Sequence, residues 1–193
     1  MSGRQLAAHL RATGADAREP WLDALVYAEA GPDIPETIRL ESVAFEDGDP
    51  IPPIFTADGE GGSPPLRWRG VPDGAAALVL IVEDADSGGA QPFVHVLAVK
   101  TPAIDDDLVP GALREESALT EGLALGLNGR GQDAWTPPDP PAGDGPHHYV
   151  AQIFAVSRRP DADGVFDRAR AVAFLKSAAM AKGCVTGLFA RPA

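Results

Sequence analysis

The chain has 193 residues, of which 45% are hydrophobic and 23% charged, with 21 Gly, 19 Pro and one Cys. That length and balance fit one soluble globular domain rich in turns and loops, leaning towards β structure. A net charge of -12 argues against a broad basic surface for nucleic acid or anionic membranes, and the lone Cys184 excludes an internal disulfide.

No apolar segment approaches the ~20 residues that span a bilayer. The N-terminus carries Arg4 and Arg11 but lacks the long apolar centre of a secretory signal, so a cytoplasmic protein is expected. Cys184 beside Val185 reads as an inert buried thiol.

Residues 1–36 read as an appended helical arm. Gln5 to Thr13 has Leu6 and Leu10 on one helical face, and Pro20 to Ala30 forms a second helix. Its apolar residues, Trp21, Leu22, Leu25, Val26 and Tyr27, need a surface to cover, either this chain's own core or a second subunit in a homodimer. From Thr37 the pattern turns to β. Ile38 and Leu40 alternate with polar residues, and Asp47-Gly48-Asp49-Pro50 forces a turn. Ile51 to Phe55 is broken by proline and suits a sheet edge, and Ser63 to Trp68 runs extended.

Leu78 to Val82 and Val94 to Val99 are short, rich in β-branched residues and bounded by turn formers, as expected of an antiparallel hairpin buried on both faces. Asp84 then ends the first strand, Asp86 sits in the turn and His95 lies just inside the returning strand. Thr101 to Thr120 reads as irregular connection, and Gly126 to Gly145 as an ordered Gly/Pro loop walling a site. His147 to Val156 alternates as another strand. Phe166 to Lys182 has helical spacing, an N-cap at Asp167 and a stop at Gly183, and Val185 to Phe189 ends the chain as a short strand. The order of elements predicts an antiparallel β-sandwich with peripheral helices.

If the strands after Phe93 and His147 run in one direction, Asp84, His95 and His147 converge at one end of the sandwich. Taken alone, His95 in an apolar strand reads as a core histidine, and Asp84 and Asp86 read equally as turn solvation or as site groups. His148 reads as an exposed strand residue and His9 as a solvated helix residue.

Three ordered motifs change this reading. Ser63-Pro64-Pro65-Leu66-Arg67-Trp68, Val82-Glu83-Asp84-Ala85-Asp86 followed by Phe93-Val94-His95, and Pro140-Pro141 leading to Gly143-Asp144-Gly145-Pro146-His147-His148-Tyr149 together resemble the phosphatidylethanolamine-binding protein family, in its bacterial Raf-kinase-inhibitor-like branch. The resemblance covers about Thr37 to Arg191. It implies a domain over 37–193, mainly β, with a C-terminal helix and a small pocket for phosphate, acetate or a phospholipid head group. Carried over by position, it places Asp84, Asp86, His95 and His147 in that pocket, Tyr149 and Pro141 along its wall, and Trp68 and Pro65 beneath. Ala85 and Gly88 stand where the family has prolines, and Trp135-Thr136-Pro137-Pro138 replaces its Tyr-x-Gly-Pro pattern.

The implied function is non-enzymatic binding of a small anion, with modulation of a kinase or protease, and with neither cofactor nor metal. Imidazole N–H groups can donate to such an anion, with an aspartate behind each ring fixing its tautomer. The rival is a small hydrolase of phosphate or acyl esters using an Asp/His pair. No Gly-x-Ser-x-Gly elbow accompanies it, and the nearest hydroxyls, Ser63 and Ser87, read as turn residues.

Overall fold

The computed structural model describes residues 20–161 and 165–193. The helix expected over Gln5 to Thr13, with His9, lies outside the described residues. Two antiparallel sheets face one another. The larger has five strands in the order β6-β4-β3-β7-β8, formed by β3 (Ala77–Asp84), β4 (Phe93–Lys100), β6 (Leu123–Leu125), β7 (His147–Val156) and β8 (Ala179–Phe189). The smaller has three, in the order β1-β2-β5, from β1 (Arg39–Glu41), β2 (Leu66–Arg69) and β5 (Asp106–Leu108).

β3 is central and buried along its whole length, as its unbroken apolar run requires. Its even residues Leu78, Leu80 and Val82 face inward, where Ile38, Leu40, Leu66, Trp68 and Leu108 of the small sheet complete the core. Its odd residues Val79 and Ile81 face outward against Leu25, Val26, Phe154, Val172 and Leu175. Each fully buried aliphatic side chain on these faces is worth about 1.5–3 kcal/mol. Trp68 sits in the inner core, its indole N–H donating to Ile104 O at 2.8 Å.

The outer face is covered by α1 (Pro20–Ala24), α2 (Val26–Glu29) and α4 (Arg168–Ala178); a short α3 (Glu115–Ala118) lies between β5 and β6. The segment expected as one helix from Pro20 to Ala30 is therefore two, separated by Leu25 in an extended conformation (φ -68°, ψ 147°). The break has a cause. It lets the first N–H groups of α2 reach the sheet, where Val26 N–H donates to Glu83 Oε2 at 2.9 Å and Tyr27 N–H to Gln152 Oε1 at 2.6 Å. Lys182 Nζ then donates to Tyr27 O and Gly31 O at the far end. Glu83, wholly buried, is also held by Gln152 Nε2 and by Arg168 Nε, both at 2.7 Å. Leu22, Leu25, Val26, Tyr27 and Ala30 thus pack on this chain's own sheet, and the side chain of Trp21 lies outside what the structure describes.

The C-terminal half departs from expectation at the helix stop. Asp167 caps α4 by accepting from Arg170 N–H, but the helix ends at Ala178 and β8 begins at once, so Met180 and Lys182 are strand residues. Pairing with β7 from Val156↔Ala179 to His147↔Phe189 overrides the helical spacing. Gly183 is no stop: it lies inside β8, where a Cβ would come within 2.0 Å of Ile38 O. Elsewhere, Thr101 to Thr120 contains β5 and α3, and Pro53–Phe55 is a 3-10 turn beyond the Pro50↔Leu188 bridge that touches the β8 edge. Among the described residues no helix is long and apolar enough to cross a membrane.

Candidate functional site

β4 and β7 both pair antiparallel with β3, so both begin where β3 ends. This brings Asp84, His95, His147 and Tyr149 to one end of the large sheet. Asp84 continues the inward parity of Leu80 and Val82 and pairs in register with Tyr149. His95 reaches the same side by a bulge. Val82 pairs with Val96 but Glu83 with Val94, leaving His95 as the extra residue of β4. Its ring meets Tyr149 edge-on at 5.2 Å between centroids, and Tyr149 stacks against His147 at 6.3 Å.

Residues 126–136, the first part of the 126–145 stretch, lie against this end. It runs along the β4 edge, with Gly126 N–H on Leu97 O, Gly129 N–H on Val94 O and Thr136 N–H on His95 O. Asn128 orders it from within: its Oδ1 accepts from Arg130 and Gln132 N–H, and its Nδ2 donates to Ala134 O and Thr136 Oγ1. At Gly129 a Cβ would come within 2.6 Å of the Phe93 ring, so the loop approaches this closely only with glycine there. Thr136 O in turn lies 2.6 Å from His95 Nδ1.

Four buried groups make the cluster. His147 Nδ1 is 2.9 Å from Asp84 Oδ2, and its Nε2 is 3.3 Å from Asp144 Oδ2. Burial pulls the His147 imidazole down, but the hydrogen bond and charge of Asp84, helped by Asp144, outweigh it and hold the ring above the usual histidine range. Burial dominates at His95, whose pKa falls although Thr136 and Asp84 oppose the fall. Burial likewise raises the Tyr149 phenol, with Asp84 adding, so both neutral forms persist at neutral pH. His95 Nε2 and the Tyr149 hydroxyl are sealed from solvent and have no hydrogen-bond partner. Such orphans are rare in native interiors; among the described residues the Tyr27 hydroxyl and Thr186 Oγ1, away from this cluster, are in the same state.

The other expected residues sit differently. Asp86 turns to His148, accepting from its N–H at 2.7 Å with the ring Nδ1 at 2.8 Å, so His148 is half-buried and engaged rather than an exposed strand residue. Burial raises the Asp86 carboxyl, but the bonds from His148 bring it below the usual range. Pro141 is exposed, and its carbonyl accepts from Asp144 N–H at 3.4 Å. Its loop is pinned by Arg191, which donates to Pro140 O and ion-pairs with Asp58 and Asp139. Sequence reasoning gave no role to Asp144 or Thr136; the signal for Asp144 was its place three residues before His147 between two glycines with positive φ, Gly143 and Gly145.

Among the described residues no group of three or more His, Cys, Asp or Glu side chains is placed to hold a metal ion. A cavity of about 660 Å³ runs along β1 and the residues after it, lined by Glu36, Leu40, Phe45, Asp47 and Val185 among others, and shares no residue with the cluster.

A family model described as phosphatidylethanolamine-binding protein matches residues 41–190. The chain belongs to the phosphatidylethanolamine-binding protein family. Its relatives in that family include the UPF0098 protein Rv1910c of Mycobacterium tuberculosis, 35% identical over 144 residues, which take in 72% of this chain and 66% of that protein. The chain thus spans just under two thirds of that relative's length. LppC of the same organism, named a lipoprotein, is 32% identical over 161 residues, covering 79% of this chain and 76% of LppC. Among solved structures, the family homolog CT736 of Chlamydia trachomatis superposes with a TM-score of 0.69 at 27% identity, covering 80% of this chain and 97% of its own. YbcL of E. coli, with a TM-score of 0.72 at 24% identity over 80% and 98% of the two chains, shares the fold.

Proposed function

We propose that the chain is a binding protein whose cluster at Asp84, His95, His147 and Tyr149 receives one small oxyanion, such as a phosphate or carboxylate group. The observation that carries this reading is the pair of buried, unpartnered atoms, His95 Nε2 and the Tyr149 hydroxyl, beside a histidine that Asp84 keeps charge-prone. Asp144 is 58% exposed at its side chain while His147 is 5% exposed, so their contact is where the cluster meets solvent. An entering anion takes the place of the Asp144 carboxylate at His147 Nε2. Asp86 acts one step away, by fixing His148 and the start of β7.

Ester hydrolysis would use the same Asp84–His147 pair together with a nearby hydroxyl. Ser63 Oγ accepts from Leu113 N–H and Ser87 Oγ from Phe93 N–H, so the two hydroxyls nearest in sequence hold loop backbone. Calorimetric titration of inorganic phosphate into the wild type and His147→Ala, at pH 6 and pH 8, tests the reading. Binding should be tighter at pH 6 and lost in the variant. No heat and no chemical-shift change at His95 or His147 would overturn it, and turnover of an aryl phosphate or acetate abolished by His147→Ala would replace it with the hydrolase.

A further inference from the structure

The outer edge of β8 is held by the chain that runs beside it, and the hold has one gap. Lys182 N–H donates to Pro35 O and Ile38 N–H to Lys182 O; further on, Thr186 N–H donates to Asp47 Oδ1 and Gly48 N–H to Thr186 O. Between these two closures the chain leaves β8 to pair as β1 with β2, and among the described residues no hydrogen bond joins Leu40 to Cys184. β1 is an edge of its sheet. Backbone groups of an antiparallel strand point alternately to either side, and Ile38 N–H turns to β8, so Leu40 also turns its N–H and C=O away from β2. The cavity of about 660 Å³ lies along this free edge, lined by residues of β1, by Phe45 and Asp47, and by Val185 of β8.

The described residues lining the cavity include Glu36, Glu41, Glu46 and Asp47 against a single base, Arg39, whose Nε is tied to Glu41 Oε1 at 2.7 Å. Glu36 and Glu46 form no ion pair among the described residues, and Lys182 is committed elsewhere, to Tyr27 O and Gly31 O. We propose that the gap between β1 and β8 binds an extended, basic segment of another protein, whose main chain pairs with Leu40 on the edge of β1 while its Lys or Arg side chains meet Glu36, Glu46 and Asp47. A free strand edge is a template for a further strand, with main-chain bonds giving affinity and side-chain contacts giving specificity. β1 has three residues and is about 10 Å long, so the docked segment is about three to five residues. A second copy of this chain is the wrong occupant, since at a net charge of -12 it brings acid against acid. A small cation has no acceptor to offer Leu40 N–H. The gap shares no residue with the oxyanion cluster, and the two readings stand or fall separately.

The test titrates a capped lysine-valine-lysine-valine-lysine peptide into the wild-type protein at low salt, following the backbone amide of Leu40 by NMR. Saturable binding with a Kd below about 1 mM is expected, with that amide shifting and gaining protection from hydrogen exchange. Replacing the lysines by glutamates should abolish binding, and Glu36→Gln combined with Glu46→Gln should weaken the lysine peptide several-fold. Two analogues, N-methylated at the valines or at the lysines, test the pairing. At least one should bind about tenfold more weakly than the parent, because only alternate N–H groups of the peptide face β1. No saturation by about 5 mM peptide overturns the proposal. So do a glutamate peptide that binds as well as the lysine one, N-methylated analogues that both match the parent, and binding that leaves the Leu40 amide unmoved. Spermidine binding as tightly as the peptide reassigns the gap to small cations. A Leu40 amide already protected in the free protein means that another stretch of this chain or a second copy fills the gap, and overturns the proposal as well.

Discussion

His147 Nδ1 and Asp84 Oδ2 stand 2.9 Å apart, with 5% and 9% of their side chains exposed. The carboxylate makes the ring easier to charge, and the charged ring in turn stabilises the fold over a defined pH window. Because the folded ring titrates above its ordinary value of 6.5, this contribution is complete below 6.5 and fades as pH rises through the raised value. Asp84→Asn keeps an acceptor for Asp86 N–H and removes the charge. The variant should lose about 1.5–3 kcal/mol near pH 6 and progressively less towards pH 9. Urea unfolding at the two pH values measures this, and a gap that widens with pH would refute it.

Asp144 should compete with the ligand. Asp144→Asn removes a carboxylate 3.3 Å from His147 Nε2, so phosphate should bind several-fold tighter at about pH 5.5, where the ring remains charged without it. The same variant should titrate His147 at lower pH than wild type, read by proton NMR of the ring. Unchanged affinity would mean that the anion does not approach through that contact.

On the outer face, Arg168→Ala strands Glu83, which is 0% exposed and pairs with Arg168 Nε at 2.7 Å. Removing one partner of a buried pair costs about 3–5 kcal/mol. Glu83→Gln combined with Arg168→Met should cost less than Arg168→Ala alone, since no charge is left buried. Equilibrium denaturation of the three proteins decides the order.

Gly183→Ala puts a methyl against the backbone of Ile38, at 2.0 Å from its oxygen and 2.8 Å from its carbonyl carbon. Backbone cannot swing aside as a side chain does, so a loss of about 3 kcal/mol or an insoluble product is expected. A variant with wild-type thermal stability would show that β1 and β8 separate easily.

The strands that build the site were readable because β3 and β4 are short runs rich in Val and Leu bounded by turn residues and β7 alternates from Tyr149 onward, and the antiparallel order of β3 and β4 follows once the hairpin is accepted. Asp84, His95 and His147 came together for that reason. The bulge at His95 left no mark in composition, since Val94, His95 and Val96 read as plain alternation until the register with β3 is known. α4 ends earlier than the pattern of Phe166 to Lys182 suggests because Ala179, Met180, Ala181 and Lys182 are good helix formers, and only long-range pairing with β7 makes them strand. Glu83 and Arg168 lie 85 positions apart, and local pattern carries no information about such a meeting.

Glu83 and Asp84 are neighbours on β3, their Cα atoms about 3.8 Å apart, and they look in opposite directions. One fastens the helical cover on the outside, and the other orients the ring inside. A one-residue slip of β3 would exchange the two carboxylates and ruin both arrangements at once. A single peptide unit therefore serves as the keystone of both layers: the strand setting that turns Glu83 to the helical cover is the one that turns Asp84 to the ring of His147.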